Sequence, residues 1–223
     1  MKRFVTGDTH GCYKGLVQAL KRANFKKTKD QLIHLGDIAD GFSETYKIFE
    51  YLNTIKNLIT IQGNHDMWLL DWIKTGFAPL IWTEQGGDAT LKSFSGNGTS
   101  IAQKILSKAV PFFVSDDNKI FVHGGFNPQQ PIEDQLAYNI MWDRDMIYRA
   151  IEKKEKVSSY DEIYLGHTDI SDKGDKIPLR YGNVWCLDTG AGWKGRVSVM
   201  DIDSKEIFLS DLSEDLYGKN QGR

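Results

Sequence analysis

The run Arg3-Phe4-Val5-Thr6-Gly7-Asp8-Thr9-His10-Gly11 sets the architecture. Four strand-forming residues stop at a glycine, and the loop that follows carries a carboxylate and an imidazole. Two further runs repeat the pattern. Leu32 to Leu35 leads into Gly36-Asp37-Ile38-Ala39-Asp40, and Leu58 to Ile61 leads into Gly63-Asn64-His65-Asp66. Short apolar runs rich in branched residues read as buried strands. Between the first two, Lys14 to Phe25 places Leu16, Val17, Leu20 and Ala23 on one helical face. Between the next two, Ser43 to Ile55 spaces Tyr46, Phe49, Leu52 and Ile55 in the same way. The first third therefore reads as βαβαβ, with parallel strands and right-handed crossovers.

Working outward, a tryptophan-bearing helix is expected from Asp66 to Ile73, then a glycine-rich loop around Gly86-Gly87 and Gly96-Asn97-Gly98. Ser100 followed by Gln103 reads as a capping box opening a helix to about Ala109. Phe112 to Ser115 and Lys119 to His123 flank a hairpin turn at Ser115-Asp116-Asp117-Asn118. A helix over Asp145 to Lys156 ends in a solvated charge run. Strands follow at Glu162 to Leu165, Val184 to Leu187, Val197 to Met200 and Glu206 to Leu209. The class is α/β: two mixed sheets packed together and flanked by helices. No repeat or linker interrupts the chain, so one domain over residues 1–223 is expected.

Composition narrows the function. Lys+Arg 28 against Asp+Glu 30 gives a net charge of −2. That argues against a broad nucleic-acid-binding surface, which carries a basic excess. Apolar residues make up 40% and charged ones 26%, as in an ordinary folded chain. No apolar run approaches the roughly 20 residues of a membrane helix. The start lacks the apolar stretch of a signal peptide, and two cysteines, Cys12 and Cys186, cannot build a disulfide framework. A reducing cytoplasm is the expected setting.

Five polar motifs begin at strand ends: Gly7-Asp8-Thr9-His10-Gly11, Gly36-Asp37-Ile38-Ala39-Asp40, Gly63-Asn64-His65-Asp66, His123-Gly124-Gly125 and Gly166-His167-Thr168. Loops at the carboxyl ends of parallel strands form binding crevices, so the five converge on one site. Four of the five histidines lie in them. Any one alone would read as a packed core residue, as His34 does within Leu32-Ile33-His34-Leu35. Imidazole and carboxylate together suit Mn, Fe or Zn, and a carboxylate can bridge two ions.

These motifs, in this order, resemble those of the calcineurin-like metallophosphoesterases. Within that superfamily the chain is most similar to the phosphoprotein phosphatases, above all the small bacteriophage lambda type. The resemblance runs from about Arg3 to Val199 and includes Ile140-Met141-Trp142-Asp143-Arg144 and Asp188-Thr189-Gly190-Ala191. It implies a calcineurin-like two-sheet β-sandwich and two divalent ions, manganese first, with iron or zinc as alternatives. Asp8, His10 and a bridging Asp37 would bind one ion; Asp37, Asn64, His123 and His167 would bind the other. Such pairs, about 3.5–4 Å apart, turn water into a nucleophile for in-line attack on phosphorus. His65 would be the general acid for the leaving group, and Asp40 the carboxylate that orients it and holds its proton. Arg144, with Asn64, would bind the phosphate. Two divalent ions would also turn the formal −2 into +2, focused in the cleft.

The chain departs from the family at two places. Gly41 follows Asp40 and Gln62 precedes Gly63, where the protein phosphatases carry phosphate-gripping arginines. Lys14, Arg180 and Lys194 read as surface cations with an outside chance of reaching the cleft. Phe42 reads as core or as a wall for substrate, and Trp68 and Trp72 as packing residues before a substrate platform. Asp66 stands where the family favours Glu and is expected to bond backbone. The preferred function is a phosphomonoesterase of the serine/threonine protein phosphatase type, acting on phosphoprotein, phosphopeptide or a small phosphoester. A dinucleoside tetraphosphatase or phosphodiesterase on the same site stays open. A non-catalytic metal-binding homologue is disfavoured because every motif position is kept.

Overall fold

The computed structural model describes residues 1–169, 176–219 and 221–222. The expected βαβαβ unit is present as β1 (Arg3–Thr6), α1 (Tyr13–Arg22), β2 (Gln31–His34), α2 (Thr45–Leu52) and β3 (Asn57–Thr60). Then come α3 (Asn64–Thr75), a single turn α4 (Leu80–Trp82), α5 (Asp88–Phe94) and α6 (Ser100–Leu106). The second half holds β4 (Phe112–Val114), β5 (Lys119–Val122), α7 (Ala137–Trp142), α8 (Asp145–Lys153), β6 (Glu162–Leu165), β7 (Leu179–Tyr181) and β8 (Val184–Cys186). It closes with β9 (Ser198–Asp201), β10 (Ile207–Leu209) and α9 (Ser213–Tyr217).

Two five-stranded mixed sheets result, ordered β10-β9-β1-β2-β3 and β4-β5-β6-β8-β7. β1, β2 and β3 run parallel, and so do β5, β6 and β8. β9 and β10 extend the first sheet through antiparallel pairs, and β4 and β7 flank the second sheet antiparallel. The two-residue period of a strand decides which side chains meet where. Val5, Ile33, Phe121, Tyr164 and Met200 point inward and pack sheet on sheet. Phe121 and Tyr164 stack there, ring centres 4.7 Å apart. Their neighbours Phe4, Leu32 and Val199 face α1, α2 and α3 instead. On the other sheet, Ile120, Val122, Ile163 and Leu165 face Met146, Ile147 and Ala150 of α8. The layers are helix, sheet, sheet, helix, and the loops at the parallel strands' carboxyl ends gather along one edge.

Several sequence expectations change. Ser100 does not cap α6: Thr99 holds that position, in helical backbone geometry and with no side-chain capping bond. The glycine-rich stretch is not a plain loop; Thr83–Gly87 is one wide turn leading directly into α5. The short elements α4, α5, α7, β7 and α9 escaped the pattern reading. Among the described residues, no helix is long and apolar enough to cross a membrane.

Candidate metal centre

Each motif reaches the site by a sharp turn at a strand end. His10, Asp37, Asp40 and His167 all adopt positive φ, at 43°, 52°, 75° and 64°. Left-handed backbone is uncommon for residues other than glycine and concentrates at functional sites. Close approach explains two of the glycines. A Cβ at Gly63 would collide with the Asp37 backbone, and one at Gly166 with the Asp8 carboxylate.

Asp8, His10 and Asp37 are buried, and their ligand-type atoms lie within 4.8 Å of one another. Asp37, His123 and His167 form a second set under the same limit, so Asp37 belongs to both. Backbone carbonyls fix the rings. His10 Nδ1 is 2.9 Å from Ala39 O, and His123 Nδ1 is 2.7 Å from Leu35 O. A carbonyl can only accept, so each Nδ1 carries a hydrogen and each Nε2 is the ring atom turned toward the carboxylates. His10 Nε2 then faces Asp8 and Asp37 at 3.8 Å each. His123 Nε2 lies 3.3 Å from Asp37 Oδ2 and 3.0 Å from Asn64 Oδ1. His167 Nε2 is buried without a hydrogen-bond partner, although its backbone N–H donates to Asp8.

The electrostatics call for a cation. Burial, reinforced by Asp188 and Asp37, pushes the Asp8 carboxyl well up. Burial raises Asp188 to about 6, with Asp169 and Asp37 adding to it. Burial works against charge on His123, but Asp37 and Asp8 overcome it and lift that ring to about 10. Burial, helped by His123, drops His167 to about 3 and keeps it neutral. Converging carboxylates, an orphaned imidazole nitrogen and a carboxamide oxygen fit divalent cations of the Mn, Fe or Zn type.

His65 sits beside these sets. Its ring meets His10 edge-on at 5.0 Å, and its Nδ1 lies 2.5 Å from Asp40 Oδ2. Asp40 also accepts from Trp82 Nε1 at 2.9 and 2.8 Å and from Thr90 Oγ1 at 2.8 Å. Trp82 and Thr90 were not foreseen. Their signal is weak in sequence because 42 and 50 residues separate them from Asp40.

Other expectations sort cleanly. Arg144 reaches inward, donating to Thr168 Oγ1 at 3.0 Å and to His167 O at 3.4 Å. Asp143 is occupied elsewhere, accepting from Met146 N. Asp66 bonds backbone, accepting from Ile38 N and Ala39 N. His34 does more than fill the core: it lies 3.1 Å from Thr9 Oγ1 and accepts from Gly36 N, tying two motif loops together. Lys14 turns to Leu216 O and Arg180 to Gly182 O, while Lys194 is exposed. Phe42 is core, stacked on Tyr217 at 4.4 Å. At the departures from the family pattern, Gly41 bonds through its N–H to Gly86 O. Gln62 turns to Ala109 O.

Fold and site together define a metal-dependent phosphoester hydrolase. The chain belongs to the calcineurin-like phosphoesterases, whose family description matches residues 1–193. It is similar to serine/threonine-protein phosphatase 1 of Salmonella typhimurium, 24% identical over 207 residues, covering 89% of this chain and 91% of that one. It is also similar to the symmetrical bis(5'-nucleosyl)-tetraphosphatase of Photorhabdus laumondii subsp. laumondii. There the identity is 37% over 135 residues, covering 60% of this chain and 47% of that protein. A solved structure carrying the provisional name diadenosine tetraphosphatase superposes with a TM-score of 0.70 at 20% identity, covering 93% of this chain and 92% of that one.

Proposed function

We propose that the chain is one phosphoesterase domain that hydrolyses phosphomonoesters of alcohols, as a serine/threonine protein phosphatase does, with two manganese ions. Asp8, His10 and Asp37 would hold one ion, and Asp37, Asn64, His123 and His167 the other. When bound, two such ions acidify water into a nucleophile and offset phosphoryl charge. Asn64 and Arg144 orient the phosphate. No side chain becomes phosphorylated.

The observation that carries the reading is the His65–Asp40 pair, with Trp82 and Thr90 bonded to the same carboxylate. An alkoxide is a poor leaving group and needs a proton as the ester bond breaks. A phosphate chain leaves far more readily and needs that proton less. A buried, doubly anchored carboxylate behind an imidazole is the apparatus an alcohol ester requires. Along the chain, the similarity to the Salmonella serine/threonine phosphatase spans nearly the whole length of both proteins.

A nucleotide hydrolase is the second reading. Gly41 and Gln62 offer no arginine to a phosphomonoester, and the tetraphosphatase relative is the more identical over its shorter match. Manganese-supplemented turnover of a phosphothreonine peptide beside diadenosine tetraphosphate decides between them. The first reading expects faster hydrolysis of the peptide, with His65→Asn reducing it at least about a hundredfold. Faster cleavage of the tetraphosphate would overturn it.

A further inference from the structure

Trp68 and Trp72 lie one turn apart on α3 but face different surroundings. Trp72 sits 6.2 Å, ring centre to centre, from both Trp82 and Phe94 in the core. Trp68 meets the His65 ring edge-on at 4.9 Å and the Trp142 ring at 5.6 Å. Trp142, on α7, in turn meets His167 edge-on at 5.9 Å and Tyr138 at 6.1 Å. Trp68 and Trp142 are half-buried, while Tyr138 is 66% exposed. The three rings thus form a chain of contacts running from His65 through Trp68 and Trp142, which also borders His167, to the exposed Tyr138. His65 and Trp68, three residues apart on one helix, share a face.

We propose that Trp68 and Trp142, continued by Tyr138, are specificity-determining residues that select phosphopeptides with an aromatic side chain next to the phosphorylated serine or threonine. The inference rests on the phosphomonoesterase reading above. A serine or threonine side chain is too short to cover three successive rings, so they are matched to chain beyond the phosphorylated residue. Indole and phenol faces offer large apolar area, and ring-to-ring pairing adds stabilisation beyond simple burial. A polyphosphate laid along the same path would need cations, and this wall is built of rings.

The test uses the manganese-loaded full chain and two fluorescent peptides carrying the non-hydrolysable phosphonomethyl analogue of phosphothreonine. They differ only in Phe or Ala at the next position. Fluorescence anisotropy is expected to give about fivefold tighter binding of the Phe peptide. Trp68→Leu is expected to shrink that ratio below about twofold, and Trp68→Phe, which keeps a ring, to preserve most of it. Equal affinities, no binding of either peptide, or a ratio that survives Trp68→Leu overturns the proposal. Turnover of the matching phosphothreonine peptides separates the two readings. If the ring preference is present in binding but neither peptide is hydrolysed, the phosphomonoesterase assignment fails and the aromatic wall stands.

Discussion

His65 Nδ1 lies 2.5 Å from Asp40 Oδ2, and the indole N–H of Trp82 reaches both oxygens of the same carboxylate. Burial pushes the Asp40 carboxyl up, while bonds from His65, Thr90 and Trp82 pull it back down. The charge on Asp40 therefore depends on Trp82 and Thr90 as well as on His65. Trp82 is thus bonded into the His65–Asp40 pair as well as packed in the core.

Trp82→Phe keeps the ring and removes only the donor. With a charge-assisted bond to Asp40 lost, kcat is expected to fall about tenfold with KM unchanged. Steady-state kinetics on a phosphothreonine peptide, with a thermal melt to confirm folding, makes the check. A wild-type kcat would remove the indole from the proton-handling group.

Arg144, proposed to bind the phosphate, offers a different signature because that contact would form before reaction. Its guanidinium is aimed at the site by Thr168 and the His167 carbonyl. Loss of a charge-assisted phosphate contact is worth roughly 1.5–3 kcal/mol, so Arg144→Ala is expected to raise KM about tenfold or more. An unchanged KM would place the phosphate elsewhere.

Crowded carboxylates also make stability depend on the ions. Metal that binds only the folded chain adds about 2.7 kcal/mol at a hundredfold excess over its Kd. For a chain of this size, chelation with EDTA is expected to lower Tm by about 5–10 °C. Asp37→Asn, which alters the carboxylate common to both donor sets, is expected to abolish the manganese-dependent part of that shift. A variant that keeps the full shift would deny Asp37 its shared role.

How much of this was legible beforehand follows from range in sequence. The βαβαβ half and the five motifs are local patterns: branched runs, helical spacing and glycine at strand ends. The elements that escaped are short. β7 is three residues long, and Leu179–Tyr181 pairs with β8 across the tight turn at Gly182-Asn183. α7 is six residues whose Ile140 and Met141 are buried, with the Ile140 carbonyl accepting from Gly124 and Gly125. Nothing local marks Trp82, which folding brings to Asp40. Trp68 and Trp72 share a helical spacing and both pack against the core; only tertiary neighbours show that Trp68 also borders His65.

His34 supplies a pH dependence whose sign is fixed. Burial brings this imidazole down to about 3, against about 6.5 in an unfolded chain. Below about pH 6.5 the unfolded chain takes up a proton that the folded chain refuses, so stability falls as pH falls. Between pH 7 and 5.5 the loss from this group is about 1.2 kcal/mol. Urea unfolding is expected to show that extra decline in the wild type relative to His34→Gln. Parallel declines would mean that His34 is already protonated in the fold.

Asp66 clamps the strained loop that carries Asp37 and Asp40. Its Oδ1 accepts from Ile38 N at 2.9 Å and Ala39 N at 3.1 Å, while Asp37 Oδ1 accepts from His65 N at 2.9 Å. The start of α3 and the loop thus hold each other, across two residues with φ of 52° and 75°. Burial, reinforced by Asp37, lifts the Asp66 carboxyl to about 8, so holding charge there is costly. An amide of the same shape keeps the acceptor without that cost. Asp66→Asn keeps the accepting oxygen, and its manganese affinity is expected to stay within about threefold of wild type, whereas Asp66→Ala weakens it about 10- to 100-fold. Calorimetric titration of manganese into each variant makes the comparison. Equal affinities for Asn and Ala would show that the loop keeps its shape without the clamp.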